Sequence, residues 1–307
     1  MVADAVNAYL QIRGAQAQIT NIHEMIAIQE RELALVKDRA ASGAASARDV
    51  VSVASELDNV KKLLPVVEIA LEVQFNLLDV LEGLQSGSNA QRLAVAAPVP
   101  DPPLLSGAIQ SDELLRSRPD VIAAERHLAA ANARIGQTLA DYYPKLSLAG
   151  IIGFESLRAN KMFTPAGFQP VGQGAIRWRI FDFGKIDAEV TNARGATAEA
   201  LAGYRETLLL ATEDVENALM SYDRTRIRAL EISDDQSNRR RATALSRDNF
   251  NAGAESLSGV LSAKKAELAA SNDLVDSRVR HAQAAVGFYR AIGGGSALPA
   301  VGNRPKG

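Results

Sequence analysis

Val50, Val53, Leu57, Val60, Leu64, Val67 and Leu71 follow one another in alternating steps of three and four. Ile19, Ile22, Ile26, Gln29, Leu33 and Val36 do the same, with one polar interruption at Gln29. A stripe this narrow keeps facing a single partner helix as the pair supercoils. The two stripes meet at Ala41-Ser42-Gly43-Ala44, a small-residue turn with glycine where a helix ends. The spacing predicts an antiparallel helical hairpin over residues 3–39 and 46–82. Pro65 lies inside the second helix and predicts a kink or interrupted hydrogen bonds there, and Gly83 ends it.

Residues 85–110 change character, because Pro98, Pro100, Pro102, Pro103 and several glycines and serines make a surface linker. A third helix is predicted from Pro119, carrying Val121, Ala124, Leu128, Ala131 and Ile135, and closing at Pro144. The period then shortens to two. Leu146, Leu148 and the run to Phe154 predict one strand; Ile176, Trp178 and Ile180, alternating with Arg177 and Arg179, predict another. Residues 156–170 form the loop between them. Each strand has room for about 9–11 residues, the length that crosses a bilayer when tilted. The spacing equally admits a soluble hairpin packed on helices.

Helix resumes after Gly184 through Val190, Leu201, Leu208, Val215 and Tyr222, turns at Asn251-Ala252-Gly253-Ala254, and returns through Leu257, Leu268 and Val279 to Gly293-Gly294-Gly295. The two glycine turns are 253 − 43 = 210 residues apart. At that offset, without gaps, Asn7-Ala8 meets Asn217-Ala218, Ile22 meets Ile232, Asp38 meets Asp248, Leu64 meets Leu274 and Gly83 meets Gly293. Start, turn and end coincide, which predicts an internal repeat. The counterpart of the helix and strands at 119–180 would precede Met1, so the chain is expected to lack the front of its first repeat. Met1-Val2-Ala3-Asp4 reads as mid-helix and has no export-signal pattern. The predicted organisation is a first-repeat hairpin (1–84), a linker (85–112), a helix leading to the membrane (113–144), two strands with their loop (145–181), a second-repeat hairpin (182–295) and a disordered tail (296–307). The expected fold class is mainly α with a small β part.

Composition narrows the chemistry. The 307 residues hold 47% hydrophobic but only 5% aromatic residues, so the apolar content is mostly aliphatic and suits closely packed helices. A net charge of -2 gives no global attraction to nucleic acid. Without cysteine there is no disulfide, thiolate zinc site or thiol nucleophile. Asp182-Phe183-Gly184 spells a kinase magnesium motif without its glycine-rich or catalytic loops, and reads as a strand-to-helix turn. Ser262 and Lys265 have the spacing of penicillin-binding enzymes but sit on a repetitive helix. His23, His127 and His281 offer no paired metal spacing. Arg239-Arg240-Arg241 reads as a solvated helix face, and no stripe makes a cofactor box. The chain reads as a non-enzyme with no cofactor and no metal.

Several segments carry a resemblance: Leu114-Leu115-Arg116-Ser117-Arg118-Pro119-Asp120-Val121, Ala131-Asn132-Ala133-Arg134-Ile135-Gly136, Tyr143-Pro144-Lys145-Leu146, Trp178-Arg179-Ile180-Phe181-Asp182-Phe183-Gly184-Lys185 and Asp214-Val215-Glu216-Asn217-Ala218-Leu219. In this order they resemble the outer-membrane efflux protein family, nearest its NodT-type lipoprotein branch within the TolC-like superfamily. The resemblance implies a homotrimer in the outer membrane with a periplasmic extension. Each subunit gives strands to a shared β-barrel among outer-membrane lipid and helices to a tunnel. That tunnel meets a periplasmic adaptor (membrane fusion) protein and an inner-membrane RND pump.

On this reading Ile176, Trp178 and Ile180 face lipid, while Arg177 and Arg179 face the lumen. Gly43 and Gly253 mark the hairpin tips that meet the adaptor. Asp49, Gly259 and Ser262 border the aperture; the acids the family often carries after the second tip are absent at Gly259 and Ser262. Asp49 alternatively reads as an early-turn acid favoured by the helix dipole. The chain also shows two strands where the family has four per subunit. The implied function is the outer-membrane channel of a tripartite efflux pump, a passive conduit for small molecules or drugs. A non-functional fragment of such a channel, a periplasmic adaptor and a cytoplasmic coiled-coil scaffold are the alternatives.

Overall fold

A computed structural model describes residues 1–103, 118–155, 165 and 168–294. The expected tail 296–307, the Leu114–Ser117 part of the family motif and most of the 156–170 loop lie outside the described residues. The chain divides into two compact units, Met1–Leu114 with Glu213–Gly307, and Leu115–Thr212.

The first unit holds α1 (Val2–Ala41), α2 (Ala47–Lys61), α3 (Leu63–Glu82), α4 (Ser88–Arg92), and α7 (Leu257–Ala291). It also holds residues 213–251 of α6 (Lys185–Asn251). The expected helix 46–82 is two helices that break at Lys62. Pro65 causes this, since it has no N–H for the Lys61 carbonyl four residues earlier and its ring crowds that carbonyl. α1 buries two faces. Ala8 and Ile12 pack on Phe75 and Leu78 of α3. Leu10 packs on Val279 and Ala282 of α7 together with Val99, and Ile28 packs on Leu261 and Leu268. A fully buried Ile or Leu contributes about 1.5–3 kcal/mol.

The segment after α4 is tied down by polar groups. Buried Arg13 donates from Nη1 to Gln16 Oε1 at 2.8 Å and to the Val95 carbonyl at 2.7 Å. Gln16 donates in turn to the Leu93 carbonyl at 2.6 Å. Asp79, 1% exposed, accepts from the Gly87 amide at 2.7 Å and from the Asn89 amide and side chain at 2.9 and 2.8 Å. These bonds fix the entry to α4, a short helix inside the stretch expected to be a plain linker.

The two hairpin turns share one hydrogen-bond pattern. Gly43 donates to Ala40 and Ala44 to Arg39; 210 residues on, Gly253 donates to Phe250 and Ala254 to Asn249. Gly43 and Gly253 have φ of +75° and +79°, a left-handed conformation that costs a residue with a Cβ about 1–2 kcal/mol. Ser46 and Ser256 then cap α2 and α7 by accepting from Asp49 and Gly259 amides, both at 3.2 Å. At the far ends, Gly83 donates to Val80 and Leu84 to Asp79, as Gly293 donates to Arg290 and Gly294 to Tyr289.

The second unit holds α5 (Pro119–Leu139), a 3-10 turn (Ala140–Tyr142), β1 (Lys145–Phe154), β2 (Phe168–Arg177) and residues 185–212 of α6. Pro119 opens α5 at its first position, where a missing N–H costs nothing. The strands pair antiparallel from Lys145↔Arg177 to Phe154↔Phe168. β2 therefore starts inside the expected loop, with Pro170 in the ladder opposite Ile152, and it ends earlier than expected. Trp178, Arg179 and Ile180 are not strand. β1 begins at Lys145, so the ladder ends there; the Trp178 and Arg179 side chains take other partners, and Ile180 is exposed.

Candidate functional site

The ribbon has two unlike faces, because alternate residues of a strand point to opposite sides. Leu146, Leu148, Gly150, Ile152 and Phe154 share a face with Ile176, Gly174, Gly172, Pro170 and Phe168. That face carries no polar side chain. Lys145, Ser147, Ala149, Ile151 and Gly153 share the other with Arg177, Ala175, Gln173 and Val171. The oily face is open: Leu146, Leu148, Ile152 and Ile176 are 71–83% exposed. A soluble hairpin would bury such a face. Ten residues per strand span about 33 Å at 3.3 Å each, or about 25 Å when tilted near 40°. That matches the apolar band of an outer-membrane barrel.

Aromatic rings mark both ends of the ribbon. Phe154 and Phe168 lie 5.5 Å apart at the loop end. At the helix end Trp178, Tyr143, Phe181 and Phe183 are 55–100% exposed. Trp178 donates its indole N–H to the Tyr142 carbonyl at 3.1 Å, which removes the only polar group of a ring that otherwise suits an apolar surround. The Arg179 guanidinium lies 3.9 Å from Asp141 and 3.7 Å from Glu189. Lys145 also pairs with Asp141, and these cations hold that carboxyl below its ordinary range against the opposing effect of burial. The Tyr142 hydroxyl donates to Asp187, and this bond pushes its pKa up.

The turn into α6 is built by Asp182, whose carboxylate accepts from the Gly184 amide at 3.3 Å and the Ile186 amide at 2.7 Å. Such bonds suit a helix N-terminus, where amides lack partners. Phe183 sits in this turn at φ +53° and is wholly exposed, an unfavourable backbone for a bulky residue. Nothing in the spacing of residues signalled it; the left-handed Gly184 beside it was the one available hint.

At the tips, Gly43 and Gly253 are exposed, Asp49 and Ser262 are exposed, and Gly259 is half-buried. Asp49 Oδ2 accepts from the Ser46 amide and hydroxyl, both at 2.8 Å, and these bonds hold its pKa below the ordinary value. Asp49 thus completes a capping box.

The remaining motifs take structural parts. Lys265 pairs with Glu32 and lies 3.5 Å from Glu56, tying α7 to α1 and α2. Arg239 pairs with Asp235 at 2.7 Å on an exposed helix face. His281 lies against Tyr222 with ring centres 4.9 Å apart and planes tilted by 41°; burial, with help from Arg226 and against Asp101, pushes its pKa down. Among the described residues no group of three His, Asp or Glu side chains is arranged to hold a metal ion. A groove of 860 Å³ lies between α1, α6 and α7 near the second tip, lined by Ile28, Arg31, Arg247, Leu261 and Lys264 among others.

The family described as Outer membrane efflux protein matches residues 111–294. The pyoverdine export outer membrane protein OpmQ of Pseudomonas aeruginosa is 31% identical over 96% of this chain and 61% of its own length. Nodulation protein T of Rhizobium leguminosarum bv. viciae is 27% identical over 98% of this chain and 62% of its own. The chain thus spans about three fifths of the length of these relatives. The solved structure of the outer-membrane channel OprN superposes with a TM-score of 0.76 at 27% identity, covering 96% of this chain and 66% of that one.

Proposed function

This chain belongs to the outer membrane efflux protein family, and from that premise we propose that it forms the outer-membrane channel of a tripartite, RND-type efflux pump. It is a passive conduit for small molecules or drugs and performs no chemistry. The ribbon of residues 145–177 is barrel wall, with Ile176 towards lipid and Arg177 towards the lumen. Beyond the strand end, Trp178 and Ile180 sit at the lipid boundary and Arg179 is held on the polar side by its acidic partners. Helical hairpins extend into the periplasm as a tunnel in a homotrimer. The tips at Gly43 and Gly253 meet a periplasmic adaptor, and Asp49, Gly259 and Ser262 border the opening.

One observation carries this reading: an antiparallel ribbon with a wholly apolar, exposed face, bounded by aromatic rings at both ends and continued by long helices. Backbone in lipid must satisfy its hydrogen bonds within helices or a closed barrel. No helix among the described residues is long and apolar enough to cross a membrane. The test is expression in an efflux-deficient bacterium, with outer-membrane fractionation, drug susceptibility and conductance in planar bilayers. Recovery in the outer membrane with discrete conductance steps and raised drug tolerance is expected. Recovery only as a water-soluble monomer without conductance would overturn it.

A further inference from the structure

Along the α1–α7 seam, where α3 flanks α1 on its other side, the helices leave a pocket of about 270 Å³. Small residues make the room: Gly14 of α1 and Ala70 of α3 both line it. Its polar lining comes from all three helices. Gln11 and Gln18 belong to α1, Gln74 to α3, and Asp276, Arg280 and Gln283 to α7. All of them lie in the first unit.

Asp276 and Arg280 stand one helical turn apart, about 6 Å along the axis. An acid four residues before a base is a favourable arrangement for an ion pair on a helix. Asp235 and Arg239 of α6 close such a pair at 2.7 Å. Asp276 and Arg280 do not. Asp276 instead accepts from the Gln18 carboxamide at 2.5 Å across the seam. Arg280 makes no hydrogen bond or ion pair among the described residues, and the side chains of Gln11, Gln74 and Gln283 make none either. One small pocket thus offers an acid, a separate base and three carboxamides that can both donate and accept.

We propose that this pocket binds a small zwitterion of dipeptide size. Its carboxylate pairs with Arg280, whose forked donors match that group. Its ammonium pairs with Asp276, because an ionised carboxylate keeps lone pairs beyond the one that Gln18 uses. The carboxamides serve the peptide group between. A plain anion or a plain cation leaves one charge of the pocket unanswered, which is the basis of selectivity. The volume is just under the about 300–1,000 Å³ of drug-sized sites, so larger molecules do not fit. Asp276 and Arg280 are exposed, so water screens both pairs and binding is expected to be weak, in the millimolar range. The inference stands on side chains of one unit and is independent of the channel reading.

Saturation-transfer NMR on the detergent-solubilised full chain tests it, with glycylglycine as the probe. N-acetylglycylglycine, which lacks the ammonium, and glycylglycine amide, which lacks the carboxylate, are the comparisons. Glycylglycine is expected to bind several-fold more tightly than either. Arg280→Gln should make glycylglycine and its amide bind alike, and Asp276→Asn should do the same for glycylglycine and its N-acetyl form. Ala70→Leu alters no charge and sits at an exposed position; it should fill the space and weaken all three. Circular dichroism with unchanged helix content in each variant separates lost binding from lost fold. No saturation of glycylglycine, or saturation that neither charge variant alters, overturns the proposal.

Discussion

Trp178 and Tyr142 are joined by an indole-to-carbonyl hydrogen bond of 3.1 Å, which links the residue just past β2 to the turn just before β1. It closes the helix end of the ribbon at the level where, in the proposed channel, the bilayer meets the periplasm. Trp178 is the chain's single tryptophan and hence its own reporter. In vesicles its emission is expected to be blue-shifted, and quenched more by lipids brominated near the carbonyls than by those brominated near the chain ends. Water-like emission without quenching would place the ribbon outside lipid.

Gly14 faces Val279 so closely that an added Cβ would lie 2.7 Å from Val279 Cγ2. Gly14→Ala is therefore expected to destabilise the first unit by about 1–3 kcal/mol, as overpacking does. Val279→Ala in the same chain should recover part of the loss. Urea unfolding followed by circular dichroism reads both, and a neutral Gly14→Ala would mean that the α1–α7 seam is looser than described.

The Ser46–Asp49 box predicts an acid-sensitive turn. Hydrogen bonds from Ser46 depress the Asp49 pKa in the folded state. Its contribution is complete above the unfolded value near 3.8 and is lost as pH falls through the folded value. Amide exchange at Ala44–Val50 should rise in acid below that range, and Asp49→Asn should remove the acid dependence. Ser46→Ala should cost about 1 kcal/mol.

Asp79 predicts a second acid-sensitive point. Burial pushes its pKa up, but hydrogen bonds from Asn89, Gly87 and Ser88 outweigh it and the net shift is downward. The same sign follows: the bonds hold at neutral pH and fail as acid protonates the carboxylate. Asp79→Ala is expected to free residues 85–92 to limited proteolysis, and Asp79→Asn to do so less. Equal resistance of all three proteins would remove Asp79 as the anchor of α4.

The hairpin seams were readable in the sequence because a three-four rhythm is local. Val53, Leu57, Val60 and Leu64 reveal one shared helix face wherever the chain goes next, and all four are buried or half-buried. Strand alternation was readable for the same reason, as far as Ile176. The strand's end was not, since Trp178 continues the alternation and stops pairing only because β1 starts at Lys145. Likewise Pro65 announced a disturbed helix, but the break sits at Lys62 because the clash falls on the carbonyl four residues earlier.

By itself, then, the sequence determined the helices, the turns at Gly43 and Gly253, the two-faced ribbon and the family motifs, all of which depend on neighbours within a few residues. Only the tertiary structure decided that α1 has a second buried face against α7, that Lys265 answers Glu32, and that Arg13 holds the segment at Val95. Arg13 and Val95 lie 82 positions apart, and the Gln18–Asp276 hydrogen bond on the α7 side of α1 spans 258. Periodicity says which side of a helix is apolar, but packing in three dimensions chooses what covers it.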